Sequence, residues 1–199
     1  MSKDDNLENN PIIFNKNGFK IFKQERNSYV VTFDIENPHI YIEKLVNFKF
    51  LDIVFEVNKD IIDNYSVDIV EENENKTEGN VVITLKHLFS DLGLPQKYIN
   101  TNVIMKKQPD QSLTSFHIKN IGVLPEIEKL NEVEGNNYEL FKLKNVIIYC
   151  KYVNKHKINV EYYIYYPNSF ILSSILEKII CSVVYKIFIR TKLFIEMYR

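Results

Sequence analysis

The carboxy-terminal segment, Phe170 to Arg199, constrains the fold more than any other part of this chain. Leu172, Ile175, Leu176, Ile179, Ile180, Val183, Val184 and Ile187 recur at i, i+3, i+4 spacing, which predicts an amphipathic helix. Ser174, Lys178, Ser182, Lys186 and Arg190 trace the opposite, polar stripe. At 1.5 Å per residue such a helix would be about 45 Å long. It does not read as a membrane span: its longest uncharged stretches, Phe170 to Leu176 and Ile179 to Tyr185, fall far short of the roughly 20 residues needed. A helix with so broad an apolar face must lie against something else, and the rest of the chain predicts a sheet.

Period-2 alternation recurs upstream. Asn17-Gly18 between two apolar runs predicts a hairpin over 11–23. Ser28 to Ile35 reads as a strand, and Asn37-Pro38 as the start of a short helix ending near residue 47. Leu51, Ile53, Phe55 and Val57 alternate with Asp52 and Glu56, a half-buried strand. Val67 to Glu71, Val81 to Leu85, Asn102 to Lys107 and Leu113 to Ile121 follow as strands. Ser90 to Ile99 has room for one helical turn, and Leu124 to Val133 reads as a short helix. Leu140 to Val153 and Lys157 to Tyr166 are the clearest strands, and their short connector predicts antiparallel pairing. Pro167-Asn168-Ser169 stops the sheet and can cap the final helix. The expected fold class is α+β: an antiparallel sheet gripping a long carboxy-terminal helix, as one domain over 11–199 after a disordered polar tail over 1–10.

Composition narrows the function classes. Two Cys among 199 residues cannot make a disulfide framework or an all-cysteine zinc site. Five Gly leave little material for phosphate-cradling loops, and a net charge of −1 removes the basic signature of most nucleic-acid binders. Lys and Asn abundance accompanies 27 Ile and a complete lack of Ala, a codon bias toward AT rather than a functional signal. The polar first ten residues carry no apolar h-region, so a cytoplasmic, reducing setting is expected. In that setting Asn64-Tyr-Ser and Asn75-Lys-Thr are chance matches to the glycosylation pattern.

No nucleotide, zinc-protease or serine-hydrolase motif occurs. The histidines, His39, His87, His117 and His156, are far apart in sequence; only His87 and His117, on expected strands, have a route to meeting. Cys150 and Cys181 sit among apolar neighbours, where a thiol is poorly reactive. No cofactor, metal or catalytic residue is therefore assigned. Tyrosines interleave with lysines over 142–166, a pattern able to stack bases, but the alternation sends the rings to both faces. Nucleic acid is not the expected partner.

Charge is uneven: residues 142–199 hold 10 Lys/Arg against 3 Asp/Glu. Lys178, Lys186, Arg190 and Lys192 would be the cations facing an anionic membrane surface, were the protein a peripheral membrane one.

The stretch Phe141-Lys-Leu-Lys-Asn-Val-Ile-Ile-Tyr-Cys, then Ile158-Asn-Val-Glu-Tyr-Tyr-Ile-Tyr-Tyr-Pro167, then the helix from Ser169, resembles the closing hairpin and long helix of the START-like (SRPBCC) helix-grip superfamily. The resemblance is one of element order over about 27–199. It implies a curved sheet, an apolar cavity beneath the helix, and a lipid or other apolar ligand. The residues expected to line such a cavity are Phe33, Phe55, Ile83, Phe116 and Tyr149 on the sheet's earlier strands, with Tyr162, Ile164, Leu176, Ile180 and Val183 from the closing strand and helix. The alternative is a structural or protein-interaction domain whose core is filled by these same residues.

Overall fold

The computed structural model describes residues 10–87, 90, 93–134, 137–170 and 173–198. Within them the strands are β1 (Ile12–Lys16), β2 (Phe19–Glu25), β3 (Ser28–Glu36), β4 (Ile62–Glu72), β5 (Lys76–Leu85), β6 (Gln96–Lys107), β7 (Leu113–Asn120), β8 (Tyr138–Leu140), β9 (Asn145–Asn154) and β10 (Lys157–Tyr165). The helices are α1 (Phe50–Val57), between β3 and β4, α2 (Pro125–Glu134), between β7 and β8, and α3 (Ser174–Met197), last in the chain. The strands form one curved sheet in the order β1-β2-β3-β10-β9-β7-β6-β5-β4. All pairs along that path are antiparallel, while the short β8 lies parallel to β6. The closing hairpin β9–β10 is thus the centre of the sheet, joining the first three strands to the block β4–β7.

Local chemistry accounts for the turns. Asn17 (φ 53°) and Gly18 (φ 74°) both adopt the left-handed conformation that a tight two-residue hairpin demands. In the β9–β10 turn the Asn154 side chain accepts a hydrogen bond from the His156 amide at 2.8 Å. Gly79 is required for a different reason: a Cβ there would lie 2.9 Å from the Asp68 carbonyl oxygen and 3.2 Å from the Phe48 ring. At the sheet's edge, β4 carries Asp63, Asp68, Glu71 and Glu72 into solvent, which discourages pairing with another chain.

Two local expectations are overturned between β3 and β4. Residues 50–57 form helix α1 rather than a strand. In eight residues the two periods are hard to separate: Leu51, Ile53, Phe55 and Val57 alternate, but Phe50, Leu51 and Val54 also share a helical face. Packing decides, because α1 docks on α3 and, among the described residues, pairs with no strand of the sheet. Nor does Asn37-Pro38 open a helix; only a single 3-10 turn, Ile42–Lys44, forms there. The Asn37 side chain is used elsewhere. It is fully buried, accepts from the His39 amide, and donates to the carbonyl oxygens of Ile195 (2.6 Å) and Tyr198 (2.7 Å) at the end of α3.

The final helix begins at Ser174, two residues after the first apolar position of its pattern, with Ser173 as its cap: the Ser173 hydroxyl accepts from the Leu176 amide. Its buried positions are Cys181, Thr191 and Ile195, and Val184 and Phe188 lie on the same stripe against the core. Phe188 packs on Phe19, Phe33 and Tyr162 at centroid separations of 6.3, 5.6 and 4.5 Å. This aromatic junction fastens the helix across β2, β3 and β10. The expected amino-terminal tail, apart from Asn10, lies outside the described residues, as does part of the expected turn over 90–99. Among the described residues no helix is long and apolar enough to cross a membrane.

Candidate functional site

The inner face of the sheet is built by alternation. On β10, Ile158, Val160, Tyr162 and Ile164 point inward; on β9, Val146, Ile148 and Cys150 do the same. Helix α3 covers only part of this concave face, with Val184, Ile187 and Phe188 directed to it. The chain between β3 and β4 roofs another part through Val46, Phe48, Phe50, Leu51 and Val54. Between these layers lies a pocket of about 330 Å³. No charged side chain lines it among the described residues. The polar residues on its lining are Asn47, Thr101 and Tyr162, with Cys150 beside them.

Five of the sequence-derived cavity residues stand on this lining: Phe33, Ile83, Phe116, Tyr162 and Ile164. Ile180 instead lines a separate recess of about 20 Å³, with Tyr29, Glu177 and Cys181. The other four lie away from both. Phe55 does not reach the lining: its ring stacks toward β4 instead, 4.8 Å from that of Tyr65. Tyr149 is on the outer face of the sheet, 5.8 Å from Tyr163. The register explains this: Tyr162 is opposite Ile148, so their common inward row excludes Tyr149. Leu176 is exposed at the start of α3, and Val183 is one position off the stripe occupied by Val184. The sequence pattern missed the roof (Val46, Phe48, Phe50, Leu51, Val54), whose signal, the i, i+1, i+4 spacing of Phe50, Leu51 and Val54, competes with a strand alternation.

The electrostatics are those of a dry interior. Burial pushes the Cys150 thiol up to about 12, and burial together with the nearby Glu177 carboxylate raises Cys181 to about 11, so neither is an available nucleophile. Burial also raises Tyr162 well above the ordinary phenol value. Glu177, beside the smaller recess, accepts from Lys23 Nζ and from the Tyr29 hydroxyl, each at 2.6 Å. Burial pushes its carboxyl up, but these two donors outweigh that and hold it below the usual range.

The cations of the final helix are mostly engaged within the protein. Lys186 (2.7 Å) and Arg190 both pair with Asp60. Hydrogen bonds from Arg190 and Lys186 draw the Asp60 carboxyl down to about 2. Lys192 bonds Glu196 and the Asp34 carbonyl oxygen. Lys178 is exposed. His87 follows β5 and contacts the Leu94 carbonyl oxygen, whereas His117 sits in β7 opposite Ile104 and Ile147. Among the described residues no cluster of metal-ligating side chains occurs.

Comparison with solved structures places this architecture. Human StAR-related lipid transfer protein 5 superposes with a TM-score of 0.60 over 92% of this chain and 84% of its own, at 9% identity. The lipid transfer and protein localization domain of human StarD13 (DLC2) gives 0.62 over 98% and 95%, at 8% identity. The chain has the START-like helix-grip fold. Human STARD10 matches it at 0.57 over 96% of this chain and 80% of that one, at 9% identity. No family model and no curated protein sequence matches the chain. In the helix-grip arrangement the pocket described above lies where sheet and carboxy-terminal helix face one another.

Proposed function

We propose that this chain is a non-enzymatic binding module that holds a lipid or other apolar small molecule in the pocket between its sheet, α1 and α3. The observation that carries this is the pocket itself. A helix-grip core with side chains packed at ordinary interior density would leave few voids larger than a water. Here about 330 Å³ stays open behind an apolar lining. That is within the range of small-molecule sites and well above a packing defect. Apolar surface facing an unfilled space gains from being covered, at about 25 cal/mol per Å². The structural neighbours, two of them titled as lipid-transfer proteins or domains, support a ligand of this chemical kind.

The competing interaction-domain reading requires a filled core, and the open volume weighs against it. Peripheral membrane attachment through α3 would draw mainly on Lys178, since Lys186, Arg190 and Lys192 already have carboxylate partners.

Native mass spectrometry after gentle purification tests the proposal. The expected result is a one-to-one adduct that denaturing conditions release. Ile83→Trp, which adds bulk to the pocket wall, should abolish the adduct while the far-ultraviolet circular dichroism is unchanged. A consistently empty protein that also takes up no added fluorescent fatty alcohol would refute it.

A further inference from the structure

The pocket has one unusual polar feature, and it bears on what the ligand must be. Tyr162 projects from β10 with its ring lying nearly parallel to Phe33 (17°, centroids 6.0 Å apart) and against Phe188. Its hydroxyl hydrogen-bonds no described residue. The other oxygen- or nitrogen-bearing side chains on the lining are satisfied. Thr101 Oγ1 donates to the Val81 carbonyl oxygen at 3.3 Å. Asn47 donates to the Lys44 carbonyl oxygen and accepts from the Lys49 amide, both at 2.8 Å. The Tyr162 hydroxyl is not sealed inside packed atoms either, for the one fully enclosed unpartnered side-chain atom among the described residues is Asn58 Oδ1. It is therefore accessible, on a side chain that stands in the pocket lining. Buried polar groups are nearly always paired, and one left without a partner costs free energy until something supplies it.

Resting on the binding-module reading above, we propose that the Tyr162 hydroxyl is the polar anchor of the pocket, and that its ligand is a neutral, single-tailed or compact-ring molecule bearing one hydroxyl or carbonyl group. Three observations converge on this class. A phenol both donates and accepts, so it pairs with either group. Among the described residues no Lys, Arg or His lines the pocket, so an ionised carboxylate or phosphate would be buried without a counter-charge, at a cost of several kcal/mol. Size sets the third limit. An apolar cavity of about 150 Å³ accommodates one benzene. At the same filling, a pocket of about 330 Å³ takes about thirteen non-hydrogen atoms, too few for a two-chain phospholipid. Burial keeps the phenol protonated across the physiological range, which preserves its donor.

Titration calorimetry of the full chain with dodecanol, dodecanoate at pH 8 and hexylbenzene tests this, repeated on Tyr162→Phe. Dodecanol should bind more tightly than the other two. Tyr162→Phe should weaken dodecanol about threefold to tenfold, the worth of one neutral hydrogen bond, and leave hexylbenzene unchanged. Stronger binding of dodecanoate, or uptake of phosphatidylcholine from vesicles, overturns the neutral, small-ligand assignment while leaving the pocket as a binding site. Equal affinities, with no effect of Tyr162→Phe, overturn the anchor. Silence from all three probes rejects the binding-module reading itself. Should Tyr162→Phe fail to fold, the dodecanol-over-hexylbenzene preference of the native chain still decides.

Discussion

Asn58 joins the pocket's roof to the long helix, and replacing it with Asp puts that joint to a quantitative test. The residue is fully buried at the end of α1. Its Nδ2 donates to the carbonyl oxygens of Val54 (2.9 Å) and Ile187 (3.3 Å) and approaches Thr191 Oγ1 at 3.5 Å. Asn58→Asp turns that donor into an acceptor facing carbonyl oxygens. Two neutral hydrogen bonds are lost, about 1 kcal/mol each. An unpaired carboxylate in the same place adds the rest, for a total of about 4 kcal/mol at pH 7. For a chain of this size that lowers Tm by about 8–16 °C. The pH dependence carries the mechanism. Burial without a counter-charge raises the folded-state pKa of the new acid above its unfolded value of about 3.9. The folded form then holds its proton more tightly, so below about pH 3.9 only the hydrogen-bond loss remains, about 1–2 kcal/mol, and the deficit grows as pH rises toward the folded value. Urea unfolding followed by circular dichroism at pH 7 and pH 4 measures both ends. A deficit under about 1 kcal/mol at pH 7, or an equal deficit at the two pH values, would show that this joint does not hold α1 to α3.

Two further outcomes follow from the same contacts. Gly79→Ala should cost about 1–3 kcal/mol in urea unfolding, because its new methyl meets the Asp68 carbonyl oxygen at 2.9 Å and backbone cannot yield as a side chain can; a neutral result would mean that β4 and β5 separate freely there. Glu177 contributes stability that is complete above about pH 4.3 and is lost as pH falls through its depressed folded value, so Glu177→Gln should flatten the stability profile between about pH 5 and pH 3 relative to the parent; identical slopes would remove the Lys23–Glu177–Tyr29 contact from the acid response.

Much of this molecule is legible in the order of its residues. Asn17-Gly18 forces its hairpin because both positions must adopt positive φ, a local steric demand. The alternation of Ile158, Val160, Tyr162 and Ile164 fixes which side of β10 is apolar, and the i, i+3, i+4 spacing over Ile175–Ile187 fixes a helix that needs a surface to cover. Those periods are properties of backbone geometry, so they survive without knowledge of distant partners. The element order they generate already implies the helix-grip arrangement. What they leave open is which distant atoms meet. Residues 50–57 satisfy two periods at once, a strand's through Leu51, Ile53, Phe55 and Val57 and a helix's through Phe50, Leu51 and Val54, and only docking against α3 selects the helix that roofs the pocket. Tyr149 and Tyr162 look equivalent until the β9–β10 register puts one outside and the other in. The insertion of β9–β10 between β3 and β7, the open space beneath α3, and the place of Tyr162 on its lining come from long-range packing. Volume left unfilled is a difference between many side chains and one curved surface, and no short window of sequence encodes it.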